Sequence, residues 1–435
     1  MGTVRLINHI ISTAFLICYA YQIIFLLVPF FLKKKKTTAK KLHSYAVLIS
    51  ARNEEAVIGN LIQSIRAQDY PPELVTVFVV ADNCTDATAS IARREGAVVW
   101  ERNNLERVGK GYALDYLLGK ITETYTPETF DGYFVFDADN LLDESYIREM
   151  NNTFSEGYRI VTSYRNSKNF SGNWISAGYA LWFMREAKYI NNSRMLLGTS
   201  CAVSGTGFLF HRDILARYGG WKFFLLTEDI EFTVCSILAD EKIGYCGSAV
   251  FYDEQPTSFR QSWRQRMRWA KGFLQVFRKY GASLFRKIFR SGSFACYDMT
   301  MTLFPAILLT IASVLVNMTS LLMGVWSARH VAEVVQSLGE TLLGAYILLF
   351  FIGTITTISE WKQIHCKASY KILYLFTFPL FMFTYIPISF VALFRRVEWT
   401  PIRHDQVKTL EEVRGALTQY HPKKKDSGYL PPSEK

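Results

Sequence analysis

The seven cysteines form no CxxC pair, and the chain has no zinc-ligand spacing, no GxxxxGK[ST] phosphate loop and no helix-turn-helix or RNA-binding signature. Each absence removes a class of protein. Cys18, Cys84, Cys201, Cys235, Cys246, Cys296 and Cys366 lie mostly in apolar surroundings, so a disulfide framework is excluded and reduced, buried thiols of a cytosolic face are expected. Acidic residues are the scarcer charge, 38 against 49 Lys and Arg, for a net charge of +11. Without a nucleic-acid signature, that excess points to an anionic membrane surface and away from nucleic acid. The N-terminus lacks a small-residue cleavage site, and its apolar run is too long for a signal-peptide core, so it reads as an anchor.

What is present is apolar: 50% of the residues are hydrophobic and 15% aromatic. The runs 6–32, 299–326 and 341–361 each reach the ~20 residues that cross a bilayer. "LKKKKTTAKK" follows the first run, and Lys362, Lys367 and Lys371 follow the third. By the positive-inside rule the N-terminus lies outside, the second helix runs outward and the third returns. A last run, 372–394, would carry Arg395, Arg396 and a lysine-rich tail outside if it crossed. Pro379 and Pro387 also interrupt it, so it is expected to be interfacial or re-entrant.

Between the first two runs the pattern is α/β. "YAVLISA" (45–51) and "VTVFVVAD" (75–82) read as buried parallel strands, and 53–68 and 86–96 follow them at helical period. "GYFVFDAD" (132–139) is a further strand ending in carboxylates. Such alternation predicts a doubly wound sheet with ligands at the carboxyl ends of its strands. Asp82 stands at one such end, where it serves either a ligand or the cap of the next helix. Asp137 and Asp139 alternate after a buried strand and share a face, an arrangement suited to Mg²⁺ or Mn²⁺. Lys110, between two glycines, can reach a phosphate, although a lone GKG is a weak signal. The stretch 258–280, rich in Arg and Trp, would also pass for an ordinary amphipathic membrane helix.

Asp82, the DAD of 137–139, the TED of 227–229 and QRMRW at 265–269 occur in the order and rough spacing of the processive family-2 glycosyltransferases. The chain resembles these membrane-embedded cellulose, chitin and hyaluronan synthases over about residues 44–285, and bacterial mixed-linkage β-(1,3;1,4)-glucan synthases in particular. The resemblance implies a cytoplasmic GT-A-type, Rossmann-like domain inserted between transmembrane helices. Its divisions would be 1–43 for anchor and basic linker, 44–257 for the transferase, 258–298 for amphipathic interface helices, 299–371 for two transmembrane helices, 372–396 for the interfacial element and 397–435 for gating loop and tail. It implies Arg52 and Glu54 at the uridine, Asp82 at uracil and ribose, Lys110 among the donor contacts, and Asp137 with Asp139 at the metal on the UDP diphosphate. Gln265, Arg266 and Arg268 would also face the donor, and Trp269 would carry the acceptor sugar. Ser204, Gly205 and Thr206 stand where the family has a Cys-Gly-Ser turn beside the acceptor. Asp229 matches the general base, flanked by Thr227 and Glu228. "VEWTPIRHD" (397–405) resembles the gating loop, with Trp399, Thr400, Arg403 and His404 near the nucleotide.

The implied activity is polymerisation of a β-glucan from UDP-glucose and its export across the plasma membrane of a Gram-positive bacterium. The partners would be UDP-sugar, the growing polysaccharide and the bilayer, with a homo-oligomer or accessory secretion subunits as further candidates. Polymerisation of UDP-N-acetylglucosamine, and transfer of one sugar to a lipid, are the rival readings. A scaffold built on a degenerate transferase fold is disfavoured by the complete DAD, TED and QRMRW set.

Overall fold

The computed structural model describes residues 3–35, 37–324, 328–402, 404 and 407–415. Its centre is one mixed sheet of β1 (Tyr45–Ala51), β2 (Val75–Asp82), β3 (Val98–Arg102), β4 (Gly132–Asp137), β5 (Leu141–Leu142), β6 (Ile160–Ser167), β7 (Phe208–His211) and β8 (Ile243–Asp253). The spatial order is β3-β2-β1-β4-β7-β6-β8-β5. Ala46, Leu48, Phe78 and Val80 enter the core on one face, and Tyr45, Val47, Ile49, Val77 and Val79 enter the core on the other. With both faces covered, strand residues of either parity must be apolar, which is why β1 and β2 coincide with continuous apolar runs. Each such side chain contributes roughly 1.5–3 kcal/mol by burial.

The topology locates the functional crevice. β1 pairs in parallel with β2 on one side and β4 on the other, while β7 runs antiparallel to β4. The chain winds outward from β1 to β3 and then crosses back to β4. That reversal opens a crevice outside the carboxyl ends of β1 and β4. The expected strand 132–139 is shorter: β4 stops at Asp137, and the Asn140 amide closes a turn on the Asp137 carbonyl at 3.1 Å. Asp139 therefore stands in the turn and does not continue the strand face.

Four apolar helical stretches are long enough to cross a membrane: Thr3–Phe31, Phe294–Met323, His330–Ser359 and Ala368–Phe394. The third begins well before the expected 341, because the polar stretch ahead of it carries on as helix from Ala328. Buried Asn8, Asn317 and Ser337 hydrogen-bond to one another across three of these helices, and Arg5 pairs with Glu340 at 2.5 Å. The start of the first helix thus lies beside the end of the second and the early turns of the third. The last stretch breaks at Thr384, between the helices Ala368–Phe383 and Tyr385–Phe394. The prolines do not make this break. Pro379 stays inside the first helix, and Pro387 falls in the first turn of the second, where its missing N–H is not needed. Phe381 presses on Gly178 of the transferase domain so closely that a Cβ there would meet its ring at 2.3 Å.

Candidate active site

The crevice gathers residues from all parts of the chain: Arg52, Glu54, Asp82, Lys110, Asp137, Asp139, Gly205, Thr227, Glu228, Asp229, Gln265, Arg268 and Trp269, roofed by Trp399, Thr400 and His404. Arg52 and Glu54 leave β1 through Asn53, whose φ of 57° turns the backbone. Asp82 is buried against Arg102 at 2.5 Å and caps no helix; Asp86 bonds the Thr88 amide instead. Lys110 Nζ donates to Asp137 at 2.5 Å and to the Gly205 carbonyl at 2.9 Å, so its charge is already spent on the site's own carboxylate. Lys110 thus lies in the crevice as expected, paired with the aspartate that ends β4.

Asp139 is 2% exposed, and one of its oxygens accepts the Glu254 amide at 2.9 Å. Among the described residues no cation pairs with Asp139 directly, and no three His, Cys, Asp or Glu side chains form a complete metal cage. An oxygen-only pair with an incomplete shell, Asp139 buried and Asp137 partly exposed, fits a hard divalent ion that keeps positions for water and substrate phosphate.

The TED triplet opens the helix Glu228–Leu238. Asp229 accepts the Gly205 amide at 2.7 Å, and the Ile230 amide also bonds its carboxylate. Burial pushes Asp229 above the usual carboxylate range, against the Ile230 and Gly205 amides and the charges of Lys110 and Arg268. Burial and the neighbouring Asp229 push Glu228 up to about 7. Along the helix Phe259–Ser291, Gln265, Arg268 and Trp269 occupy one face at spacings of three and four. Gly272, one turn on, lets that helix touch Thr227; a Cβ would lie 2.5 Å from its side chain. Trp269 stands edge-on to Tyr179 at 5.7 Å and to Phe183 at 6.0 Å.

Three expected contacts are elsewhere. Arg266 is fully buried on an adjacent face of its helix, among Tyr179, Phe381 and Tyr385, and donates to the Phe381 carbonyl and Thr384 hydroxyl at the helix break. It holds the last apolar element to the transferase and does not face the donor. Thr206 is buried, bridging the Asp137 amide and Asn140, and Ser204 presents its carbonyl to Arg165, so only Gly205 of that turn lines the crevice. Arg403 lies outside the described residues.

Above the crevice, Trp399 comes within 5.4 Å of the Arg52 guanidinium. His404 Nδ1 reaches both Glu54 oxygens at 2.9 and 3.0 Å. Burial works against a charged His404, but Asp139 and Glu54 outweigh it and push the ring up to about 10. Farther on, Arg414 pairs with Asp143 and Glu144, which fastens the chain beyond the roof. Sequence reasoning missed Arg165, Asp253 and Glu254, which also line the crevice. Arg165 and Asp253 sit near and at the ends of β6 and β8, so strand-end position was the one available signal.

A switch-point crevice on a mixed sheet, with paired aspartates on one wall and a carboxylate at a helix start facing them, defines a GT-A-type sugar transferase. Residues 43–272 match the model of "Glycosyltransferase like family 2", and the chain belongs to that family. A beta-monoglucosyldiacylglycerol synthase of Synechocystis sp. is 27% identical over 377 residues, 86% of this chain and 75% of that protein. A poly-beta-1,6-N-acetyl-D-glucosamine synthase of Staphylococcus epidermidis is 24% identical over 275 residues, 59% of this chain and 63% of its own. The mannosyltransferase PcManGT of Pyrobaculum calidifontis, solved with GDP-Man and Mn²⁺, superposes with a TM-score of 0.52 at 15% identity, over 89% of this chain and 99% of that one. That likeness shows the fold.

Proposed function

We propose that the protein is an inverting hexosyltransferase of the plasma membrane that extends a β-glucan from UDP-glucose at its cytoplasmic face. The observation that carries this reading is the meeting of Asp229, Asp139, Arg268 and Trp269 in one crevice. Arg52, Glu54 and Asp82 hold the uridine. Asp137 and Asp139 hold Mg²⁺ or Mn²⁺, which supplies charge neutralisation of the diphosphate when bound. Trp269 stacks on the apolar face of the acceptor's terminal pyranose and presents its hydroxyl to Asp229. Asp229 takes the hydroxyl proton as the oxygen bonds to the anomeric carbon and the bond to UDP breaks on the opposite side. Arg268 neutralises charge as UDP departs, and Thr227 and Glu228 frame the base. The roof, formed by Trp399, Thr400 and His404, closes over the donor and excludes water.

Donor screening tests the reading. UDP release should be fastest with UDP-glucose, should need a divalent cation, and should accompany a product cut by β-(1,3;1,4)-glucan-specific hydrolases. A preference for UDP-N-acetylglucosamine, or an undiminished rate after chelation, would count against it. One second reading has its own support: the lipid glucosyltransferase relative aligns with most of this chain. In that case the product is a single glucose on diacylglycerol.

A further inference from the structure

Arg165 lines the crevice, and the transfer mechanism leaves it without a task. It lies near the end of β6, and its Nε and one terminal nitrogen both donate to Asp253, the first at 2.7 Å. Its guanidinium lies 3.7 Å from the centroid of Phe183, and Phe183 in turn braces Trp269. Asp253 and Phe183 therefore fix both the plane and the direction of the fork. The remaining nitrogen, Nη1, has a single acceptor, the Ser204 carbonyl at a long 3.4 Å. It stands 3.7 Å from where a Cβ on Gly205 would be, and Gly205 carries the amide that holds Asp229. A guanidinium nitrogen with unused donor capacity thus faces the space between the aromatic platform and the base.

We propose that Arg165 is an acceptor-binding residue, whose Nη1 donates to an oxygen of the acceptor unit resting on Trp269 and so steers the attacking hydroxyl to Asp229. This rests on the transferase reading above but not on the identity of the acceptor. The surrounding charge also sets the acceptor's class. Asp253 already neutralises Arg165, so the fork offers a hydrogen-bond donor to a neutral hydroxyl and no uncompensated charge to an anionic group. The acceptor is a neutral, hydroxyl-bearing molecule such as a sugar chain or a diacylglycerol, and not a polyprenyl phosphate.

The test uses the purified full-length protein and three acceptors: cello-oligosaccharides, diacylglycerol in detergent, and polyprenyl phosphate. Arg165→Lys keeps a cation beside Asp253 but loses the planar fork. It should raise acceptor KM about tenfold, the scale of one charge-assisted hydrogen bond, and leave donor KM within about twofold. UDP-sugar hydrolysis relative to transfer should rise by a similar factor. Arg165→Lys should also leave the thermal midpoint within a few degrees of wild type, which separates acceptor binding from support of the fold. A rise in donor KM or metal requirement, with acceptor KM unchanged, would assign Arg165 to the donor side and overturn the proposal. Preferred transfer to polyprenyl phosphate would overturn the neutral-acceptor class. Transfer to diacylglycerol in place of oligosaccharide would refute the glucan reading while leaving the Arg165 split to be read on that acceptor.

Discussion

At the scale of the residue, the account turns on where charge is tolerated without a partner. Asp229 has one oxygen fixed by the Gly205 amide and is held above the ordinary carboxylate range by burial. As the base it must be ionised, so turnover should rise with pH through its raised pKa and fall off at acid pH sooner than an exposed aspartate would allow. Asp229→Asn should cut transfer by about 100- to 10,000-fold, the usual contribution of a general base, with UDP affinity nearly unchanged by calorimetry. A variant retaining a tenth of the wild-type rate would remove Asp229 from that role. The two arginines of QRMRW should separate cleanly. Arg268→Met should raise donor KM by about tenfold or more, whereas Arg266→Met should leave it within about twofold. Arg266→Ala should instead lower stability by about 2–5 kcal/mol, as an emptied buried site does. The sequence reading placed Arg266 at the donor with Gln265 and Arg268; helical geometry, which turns 266 about 100° from 265, is the signal it did not use. The tie between Lys110 and Asp137 was not legible in the sequence, because it joins a helix start to a strand end 27 residues away.

At the scale of the element, apolar continuity made β1 and β2 readable to the residue, since covering both faces leaves no polar position. Strand ends were less readable. β4 stops where a backbone turn closes, and a backbone hydrogen bond leaves little trace in side-chain pattern. The break at Thr384 was hidden for a related reason: it is held by Arg266, distant in sequence, while Pro379 is accommodated within a helix. The roof is the element with the most direct consequence for turnover. Trp399→Ala removes its contact with Arg52, and His404→Ala removes the two short contacts to Glu54. Each should lower kcat severely while leaving the thermal midpoint near that of wild type. If the segment only anchors at lipid headgroups, steady-state turnover will barely change.

At the scale of the whole molecule, the hydrogen bonds among Asn8, Asn317 and Ser337 bind three apolar helices into one bundle, while Arg266 and Gly178 bind the fourth stretch to the transferase. The expectation that the last element lies along the cytoplasmic surface is open to a labelling test. A cysteine at exposed Glu398 should then resist an impermeant thiol reagent applied to intact cells, and react once the cells are opened. Labelling from outside would mean that the stretch crosses and the roof cannot reach the donor. The general order of domains was legible because lysine runs and apolar lengths are one-dimensional signals; the docking of the last element was not, because it depends on packing. The most direct test of the central claim is the size of the product made from radiolabelled UDP-glucose by purified protein. The account predicts a polymer or ladder that disappears with Asp229→Asn. A solvent-extractable lipid carrying one glucose would contradict it.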